Sequence, residues 1–135
     1  MDNSGLQARS SDSWERILVV DDEESVVEFE KLVLELLGYT VTTATNSLEA
    51  LELFQAQPDS FDLVLTDQTM PWLTGTELAA KINGLRPELP VIICSGYSSG
   101  FDGEVAKSPG VRAYAMKPFG KEELGRLVRQ VLAEK

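Results

Sequence analysis

The stretch at residues 61–71 reads FDLVLTDQTMP and joins an apolar run to an abrupt acidic end at Asp67. A short apolar run that contains a β-branched residue and is bounded by polar residues and proline predicts a strand buried on both faces. Asp67 would then lie at the carboxyl end of a central strand, where open α/β sheets bind their ligands. Taken alone, the pattern fits a turn-opening aspartate equally well.

Two other apolar runs also end on charged residues. Residues 17–20 (ILVV) are followed by Asp21, Asp22 and Glu23, and a short apolar run at residues 114–116 is followed by Lys117. If these runs are parallel strands of one sheet, their carboxyl ends lie side by side. Clustered carboxylates repel one another unless a cation joins them, and such oxygen ligands suit a Mg²⁺ ion that keeps several of its waters. The three runs therefore predict a site that binds a metal ion and can then bind phosphate.

From Arg16 onward, strand-type runs alternate with helical patterns, which is typical of repeated βα units and a parallel sheet. The inward faces predicted for the helices are Val26, Phe29, Val33 and Leu36; Leu48, Leu51 and Phe54; Leu78 and Ile82; and Leu124, Leu127, Val128, Val131 and Leu132. Gly38 and Gly84 are expected to end the first and third helices. Between the fourth and fifth strands, glycine and serine leave only residues 101–107 for a short or mobile fourth helix.

The composition is that of one ordinary globular domain: 135 residues, 43% hydrophobic and 25% charged. A formal net charge of −10 opposes direct binding to nucleic acid or to an anionic membrane surface. The single cysteine, Cys94, has no partner for an internal disulfide, and with no signal peptide the sequence predicts a cytoplasmic protein. Residues 1–15 are polar and serine-rich, so they are predicted to be a disordered tail or linker remnant before a domain at residues 16–135.

Read together, these motifs give the chain a clear family likeness: it resembles a receiver domain of the response-regulator family. No one motif is specific, but the ordered set at successive strand ends is, and the likeness covers about residues 16–133. The matching motifs are Val20-Asp21-Asp22, Asp67 with Met70-Pro71, Ser95 after the apolar run 91–94, and Lys117-Pro118-Phe119.

The resemblance implies a fold and a function. The fold is a doubly wound, five-stranded parallel sheet of the flavodoxin-like (βα)5 receiver type. The function is that of a phosphoacceptor in a two-component or phosphorelay system, with Asp67 receiving a phosphoryl group from a histidine kinase or a histidine phosphotransfer protein. The domain would be no enzyme beyond its own phosphorylation and dephosphorylation, and it would switch a surface read by an output protein not identified from the sequence.

The resemblance also implies a metal site. Asp22 and Asp67 would bind Mg²⁺ directly, Asp21 would bind it through water, and the backbone carbonyl of Thr69 would complete the protein ligands. Asp21 and Asp22 have a plainer interpretation as solvated loop acids or as the N-terminal cap of the first helix, and Asp22 or Glu23 would gain about 0.3 to 1 kcal/mol from the helix dipole in either case. Glu23 is either a second acid behind the site or a helix-opening residue.

The remaining roles that the resemblance implies concern phosphate and switching. Lys117 would pair with Asp67 and later with a phosphoryl oxygen, and the Ser95 hydroxyl would hydrogen-bond another. Tyr114 would change rotamer when Ser95 moves. Thr69 and Tyr97 would flank the path of attacking water, and since neither orients water well, slow self-hydrolysis is expected.

Two other classes of protein compete with this interpretation. A phosphatase of the haloacid-dehalogenase type also uses an aspartate nucleophile and Mg²⁺, but its pattern has a second aspartate two residues after the first, where this chain has Thr69. A flavodoxin-like flavin-binding module cradles phosphate after its first strand, where this chain has acids. Within the receiver class, the chain is either a stand-alone regulator or the C-terminal receiver of a hybrid histidine kinase; its end shortly after the last helix and its serine-rich start suit the second.

Overall fold

The computed structural model describes residues 15–96 and 108–134, which contain one five-stranded, fully parallel sheet. The strands occur in the order β2-β1-β3-β4-β5, so the chain winds first to one side of β1 and then to the other. Their bounds are β1 Arg16–Val20, β2 Thr40–Ala44, β3 Leu63–Asp67, β4 Val91–Ser95 and β5 Val111–Met116. The predicted fold class is confirmed.

Four α-helices of the described residues cover both faces of the sheet. They are α1 Glu24–Leu36, α2 Ser47–Ala56, α3 Gly75–Leu85 and α4 Lys121–Ala133, with a 3₁₀ turn at Pro58–Ser60. α1 and α4 pack on one face of the sheet, and α2 and α3 pack on the other. None of the four is long and apolar enough to cross a membrane.

The central strand β3 explains why the sequence around Asp67 is so apolar. Every residue of Leu63–Asp67 is buried, because β1 and β4 flank the strand and helices cover both of its faces. Alternate residues point to opposite faces, so Val64 joins the core under α2 and α3 while Leu65 joins the core under α1 and α4. The predicted two-sided burial is confirmed, and Asp67 is the last residue of the strand.

Two helices begin at side-chain caps. At α3, Thr74 and Glu77 form a full capping box: the Glu77 amide donates to Thr74 Oγ1 at 3.2 Å, and the Thr74 amide donates to Glu77 Oε1 at 2.9 Å. At α2, Asn46 Oδ1 accepts from the Glu49 amide at 2.7 Å, but the Glu49 carboxylate accepts from the Thr45 amide instead of closing the box. Side-chain capping therefore fixes where both helices begin.

The predicted inward face of α1 is wrong in part, because only Val33 of its four predicted residues is buried. The structure buries Val27, Glu30, Val33 and Leu34, whereas Phe29 and Leu36 are exposed. Successive residues of an α-helix are rotated by about 100° about its axis. Viewed down that axis, the apolar residues of α1 lie in two arcs that share Val33. The arc that faces the sheet includes the acid Glu30, which made it look like the poorer core face in the sequence.

Smaller corrections apply to α2 and α3. Leu48 does not face inward but is exposed, because Ser47 is the buried residue there: its Oγ donates to the Pro71 carbonyl and accepts from the Leu73 amide. Gly84 does not end α3, which continues to Leu85. The first-helix stop at Gly38 is correct, and its φ of 102° is the left-handed conformation that glycine tolerates.

The contact between α1 and α4 depends on a glycine. A Cβ atom at Gly125 would lie only 2.8 Å from Leu37 Cδ1, so the missing side chain lets α4 approach the end of α1 closely. Gly125 therefore has a packing role. Other sequence predictions lie outside the described residues: the tail over residues 1–14, the helix over 101–107, and Tyr97.

Candidate functional site

The carboxyl ends of β1, β3 and β5 bring the predicted charged residues together. Asp21 follows β1, Asp67 ends β3 and Lys117 follows β5. Lys117 Nζ lies 2.6 Å from Asp21 Oδ2 and 3.1 Å from Asp67 Oδ1, so one ammonium group bridges two buried carboxylates. The sequence suggested the pair with Asp67; the shorter contact with Asp21 is new.

Three carboxyl groups form an oxygen cluster at this edge. One carboxylate oxygen from each of Asp21, Asp22 and Asp67 lies within 4.8 Å of the other two. Asp21 is held in place because its Oδ1 accepts from the Glu23 amide at 2.9 Å, while Asp22 is exposed to solvent. Hard oxygen donors with one side open to water fit a Mg²⁺ ion that keeps part of its hydration shell. The residues present therefore fit the metal.

The electrostatics of the site follow from burial and crowding. Burial and the nearby Asp21 carboxylate raise the pKa of Asp67 to about 6, although Lys117 opposes the shift. Burial alone would lower the pKa of Lys117, but the hydrogen bond and charge of Asp21, together with Asp67, raise it above its usual range. At neutral pH the lysine is cationic and Asp67 is mostly a carboxylate.

A cleft of about 440 Å³ opens over this cluster. Ser95 ends β4 and is buried, with its carbonyl accepting from the Lys117 amide at 2.7 Å, while Thr69 is exposed at the rim. Tyr114 lies on β5 opposite Ile93 and packs half-buried against the core under α2 and α3. The residues lining the cleft are Asp22, Glu23, Asp67, Thr69, Ser95, Gly96 and Lys117.

The loop after Asp67 contains two backbone features. Trp72 is exposed and has a φ of 71°, a left-handed conformation that costs an L-residue about 1–2 kcal/mol. Gly75 begins α3 directly against the backbone carbonyl of Asp67, where any Cβ atom would collide with that oxygen. Close packing of this glycine keeps the start of α3 against the end of β3.

Glu30 is a buried acid near the site that sequence reasoning missed. It lies on α1, is only 2% exposed, and shares a cavity of about 220 Å³ with Lys117 and Phe119. Burial, with a further contribution from Asp21, raises the pKa of Glu30 to about 8. The sequence did contain one indication of this burial: Glu30 lies three residues after Val27 and four before Leu34, which is the spacing of residues on one face of a helix.

Glu30→Gln is expected to change how stability depends on pH. The folded-state pKa of Glu30 is raised from 4.5 to about 8, so its contribution is fully present below pH 4.5 and is lost as pH rises to about 8. A glutamine does not ionise, so the variant does not lose this stability as pH rises. The free energy of unfolding of the variant, minus that of the parent, should therefore increase by on the order of 3 kcal/mol between pH 4.5 and 8.5. Urea unfolding in EDTA at several pH values measures the difference, and a constant difference across that range would contradict it.

Comparison with known proteins gives a consistent assignment. The response regulator receiver domain family matches residues 17–129, which is most of the chain. The parallel sheet and the acidic cleft at its carboxyl edge define a class of protein, and the sequence match names it: the chain belongs to the response regulator receiver domain family of two-component signalling. This assignment displaces the phosphatase and flavin-binding alternatives.

Similar proteins come from bacteria and plants. The chain is 33% identical over 117 residues to the alkaline phosphatase synthesis transcriptional regulatory protein PhoP of Bacillus subtilis, covering 87% of this chain and 48% of PhoP. It is 36% identical over 121 residues to the two-component response regulator ARR14 of Arabidopsis thaliana, covering 89% and 31% of the two chains. The chain therefore spans about half the length, or less, of these curated relatives.

Solved structures agree with the fold. A response regulator receiver domain protein from Clostridium thermocellum has a TM-score of 0.83 at 31% identity, with 90% of this chain and 96% of that chain covered. The response regulator TrrA of Thermotoga maritima, solved in complex with Mg²⁺ and beryllium fluoride, has a TM-score of 0.79 at 33% identity, with 87% and 99% covered. Receiver domains use Mg²⁺, and response regulators interact with histidine kinases and output effectors.

Proposed function

We propose that this domain accepts a phosphoryl group on Asp67. The observation that carries the proposal is the position of Asp67 at the floor of an acidic cleft, with its carboxylate 3.1 Å from Lys117 Nζ. One carboxylate oxygen attacks the phosphorus atom of a phosphodonor and forms an acyl phosphate. The bond from phosphorus to the donor breaks, and the donor's leaving atom takes the bonding electron pair.

The proposed metal ligands are Asp21, Asp22 and Asp67, with the backbone carbonyl of Thr69. When bound, Mg²⁺ supplies positive charge that offsets the repulsion between these carboxylates and an incoming phosphoryl group. Asp22 and Asp67 are the proposed direct ligands, and Asp21 is proposed to act through water. The buried Asp21 carboxylate, already held by Lys117 and the Glu23 amide, supports this less direct role.

Lys117 and Ser95 are proposed to bind the transferred group. The ammonium of Lys117 lies between Asp21 and Asp67. It can therefore contact a phosphoryl oxygen on Asp67 while it keeps its 2.6 Å contact with Asp21. The Ser95 residue lines the same cleft, and its hydroxyl is the proposed donor to a second phosphoryl oxygen. Fixed positive and hydrogen-bonding groups lower the barrier because they stabilise charge on the phosphoryl oxygens.

Incubation with Mg²⁺ and acetyl phosphate, followed by intact-mass measurement, tests the proposal. We expect the protein to gain one phosphoryl group. EDTA should stop the gain, because the phosphodonor then meets the carboxylates without a screening metal. A protein that stays unmodified under saturating Mg²⁺ would contradict the proposed function.

In the cell, the proposed donor is a phosphohistidine on a cytoplasmic histidine kinase or histidine phosphotransfer protein. The receiver domain would occupy residues 16–135, with residues 1–15 as a tail or linker. The strongly acidic composition supports a protein partner for output in place of direct contact with nucleic acid or membrane. The proposal holds for a stand-alone regulator and for the receiver of a hybrid kinase alike.

The proposed output device is Tyr114. Phosphate at Asp67 would draw the Ser95 hydroxyl inward, and Tyr114, on the neighbouring strand, would swing toward the space this opens. We expect Mg²⁺ with beryllium fluoride to change amide hydrogen exchange along β5 and in α4 as well as around Asp67. Protection that changes only around Asp67 would mean that Tyr114 is a static strand aromatic.

A further inference from the structure

The loop between β3 and α3 is tied at its base by one residue, Gln68. Gln68 Oε1 accepts a hydrogen bond from the Thr76 amide at 2.9 Å, and Gln68 Nε2 donates to Thr76 Oγ1 at 3.3 Å. The Gln68 carbonyl also accepts from the Gly75 amide at 2.9 Å. We call these three hydrogen bonds the Gln68 clamp. Through the clamp, the residue that directly follows Asp67 holds the first two residues of α3.

The far side of the same loop is tied to α2. The hydroxyl of Ser47, which is fully buried at the start of α2, donates to the Pro71 carbonyl at 2.9 Å and accepts from the Leu73 amide at 3.0 Å. These two contacts lie on either side of Trp72, whose φ of 71° is strained for an L-residue. A strained backbone persists only when its surroundings hold it, and such strain is common at ligand-binding sites. Hydrogen bonds at the base and at the tip therefore hold the loop in this conformation.

Thr69 lies between these two ties. It is exposed at the rim of the cleft over Asp67, and within residues 15–96 and 108–134 its carbonyl accepts no hydrogen bond. A carbonyl on a loop binds a metal ion better when the loop is already ordered, because ordering it at the moment of binding costs conformational entropy. Residues that hold the loop therefore determine how well Thr69 can serve as a metal ligand.

We propose that Gln68 is a positioning residue for the Mg²⁺ site and that Ser47 supports it from α2. Neither side chain lines the cleft, so both act on metal binding through the loop that contains Thr69. Asp67 needs no such support, because it is the last residue of a fully buried strand. Removing a side chain that orients a metal ligand typically weakens metal binding about 10- to 100-fold.

The inference rests on the proposed metal site, but it does not require that Asp67 accept a phosphoryl group. It concerns the affinity for Mg²⁺, which is measured without a phosphodonor. A ligand that binds only the folded protein raises its stability by an amount set by the ratio of ligand concentration to dissociation constant. The rise in stability with Mg²⁺ concentration therefore gives the dissociation constant. A substitution with a purely structural effect changes stability equally at every Mg²⁺ concentration.

Urea unfolding at increasing Mg²⁺ concentration and constant ionic strength tests the proposal. Gln68→Met keeps the length of the side chain but removes both of its polar atoms, so the dissociation constant for Mg²⁺ should rise about 10-fold. Thr76→Val removes only the hydroxyl partner of the clamp, and a smaller rise of about 3-fold is expected. Ser47→Ala removes the tie to α2 and should also weaken Mg²⁺ binding about 3-fold.

Gln57→Met is the matched control. Gln57 Oε1 accepts a hydrogen bond from Ser60 Oγ at 3.2 Å shortly before β3, at the opposite edge of the sheet, so its loss should leave Mg²⁺ binding unchanged. Asp22→Ala removes a proposed ligand and gives the response of a protein without the site.

The outcomes separate this inference from the metal site itself. A parent protein that Mg²⁺ stabilises no more than it stabilises Asp22→Ala would overturn both the metal site and the role of Gln68. A parent that Mg²⁺ does stabilise, with Gln68→Met binding it equally tightly, would overturn the role of Gln68 alone. If Gln68→Met does not fold, Thr76→Val and Ser47→Ala decide the matter in the same way.

Discussion

Asp67→Asn is expected to abolish phosphorylation by acetyl phosphate in the presence of Mg²⁺. The amide has nearly the same shape as the carboxylate but cannot attack phosphorus, and it offers a weaker metal ligand. The fold should survive, because Asp67 is a buried acid whose pKa is already raised to about 6 and because Lys117 retains its contact with Asp21. Intact mass measures the modification, and thermal unfolding measures the fold.

Asp62→Asn is the matched control for this variant. Asp62 immediately precedes β3, at the end of the strand opposite to Asp67, and accepts a hydrogen bond from the Arg16 amide. It is remote from the cleft, so its replacement should leave the extent of phosphorylation unchanged. An Asp67→Asn protein that is labelled like the parent, while folded, would remove Asp67 from the proposed role.

Lys117→Met has the second-largest expected effect. The variant keeps the length of the side chain but removes the cation between Asp21 and Asp67. The rate of phosphorylation should fall by about 100-fold or more, the range found when one fixed electrostatic contact is removed from a reacting centre. Without metal, stability at pH 7 should fall by about 3 kcal/mol, because two buried carboxylates lose their counter-charge. Stopped reactions analysed by intact mass give the rate, and urea unfolding in EDTA gives the stability.

Two comparisons separate these effects. Lys31→Met removes an exposed lysine that pairs with Glu35 at 3.6 Å on α1, so it should change stability by no more than about 0.5 kcal/mol and leave the rate unchanged. Saturating Mg²⁺ should restore part of the stability of Lys117→Met but little of its rate, because the metal replaces the charge and not the contact with phosphate. A Lys117→Met protein that reacts as fast as the parent would contradict the proposed role.

The sheet could be predicted from sequence because its signals are local. Each central strand is a continuous apolar run, and the runs ending at Val20, Asp67 and Ser95 mark the carboxyl edge where the cleft lies. Parallel strands bury both faces, so the type of residue alone indicates their position. The capping box at Thr74 is an equally local feature, since it needs only residues three apart.

The faces of the helices were harder to predict. On α1, the choice between the arc with Phe29 and the arc with Val27 depends on where the helix sits over the sheet, which is a tertiary property. Burial of Glu30 reversed the usual rule that acids face solvent. The exposure of Leu48 depends on hydrogen bonds from Ser47 to a loop more than twenty residues away.

The charged cluster itself was predictable, but its internal pairing was not. The sequence suggested that Asp21, Asp22, Asp67 and Lys117 come together because each follows a strand. It did not indicate that the shortest contact of Lys117 is with Asp21, since that distance depends on side-chain rotamers and on the backbone after β5. A carboxylate partner besides the proposed acceptor means that Lys117 stays anchored when the charge on Asp67 changes.

The most direct test of the account is to locate the phosphoryl group. After reaction with Mg²⁺ and acetyl phosphate, borohydride converts an aspartyl phosphate to homoserine, and tandem mass spectrometry of the peptides then identifies the modified position. Homoserine is expected at residue 67 alone, with Asp21 and Asp22 unmodified. Homoserine at residue 21 or 22, or a phosphoryl group that borohydride does not remove, would contradict it.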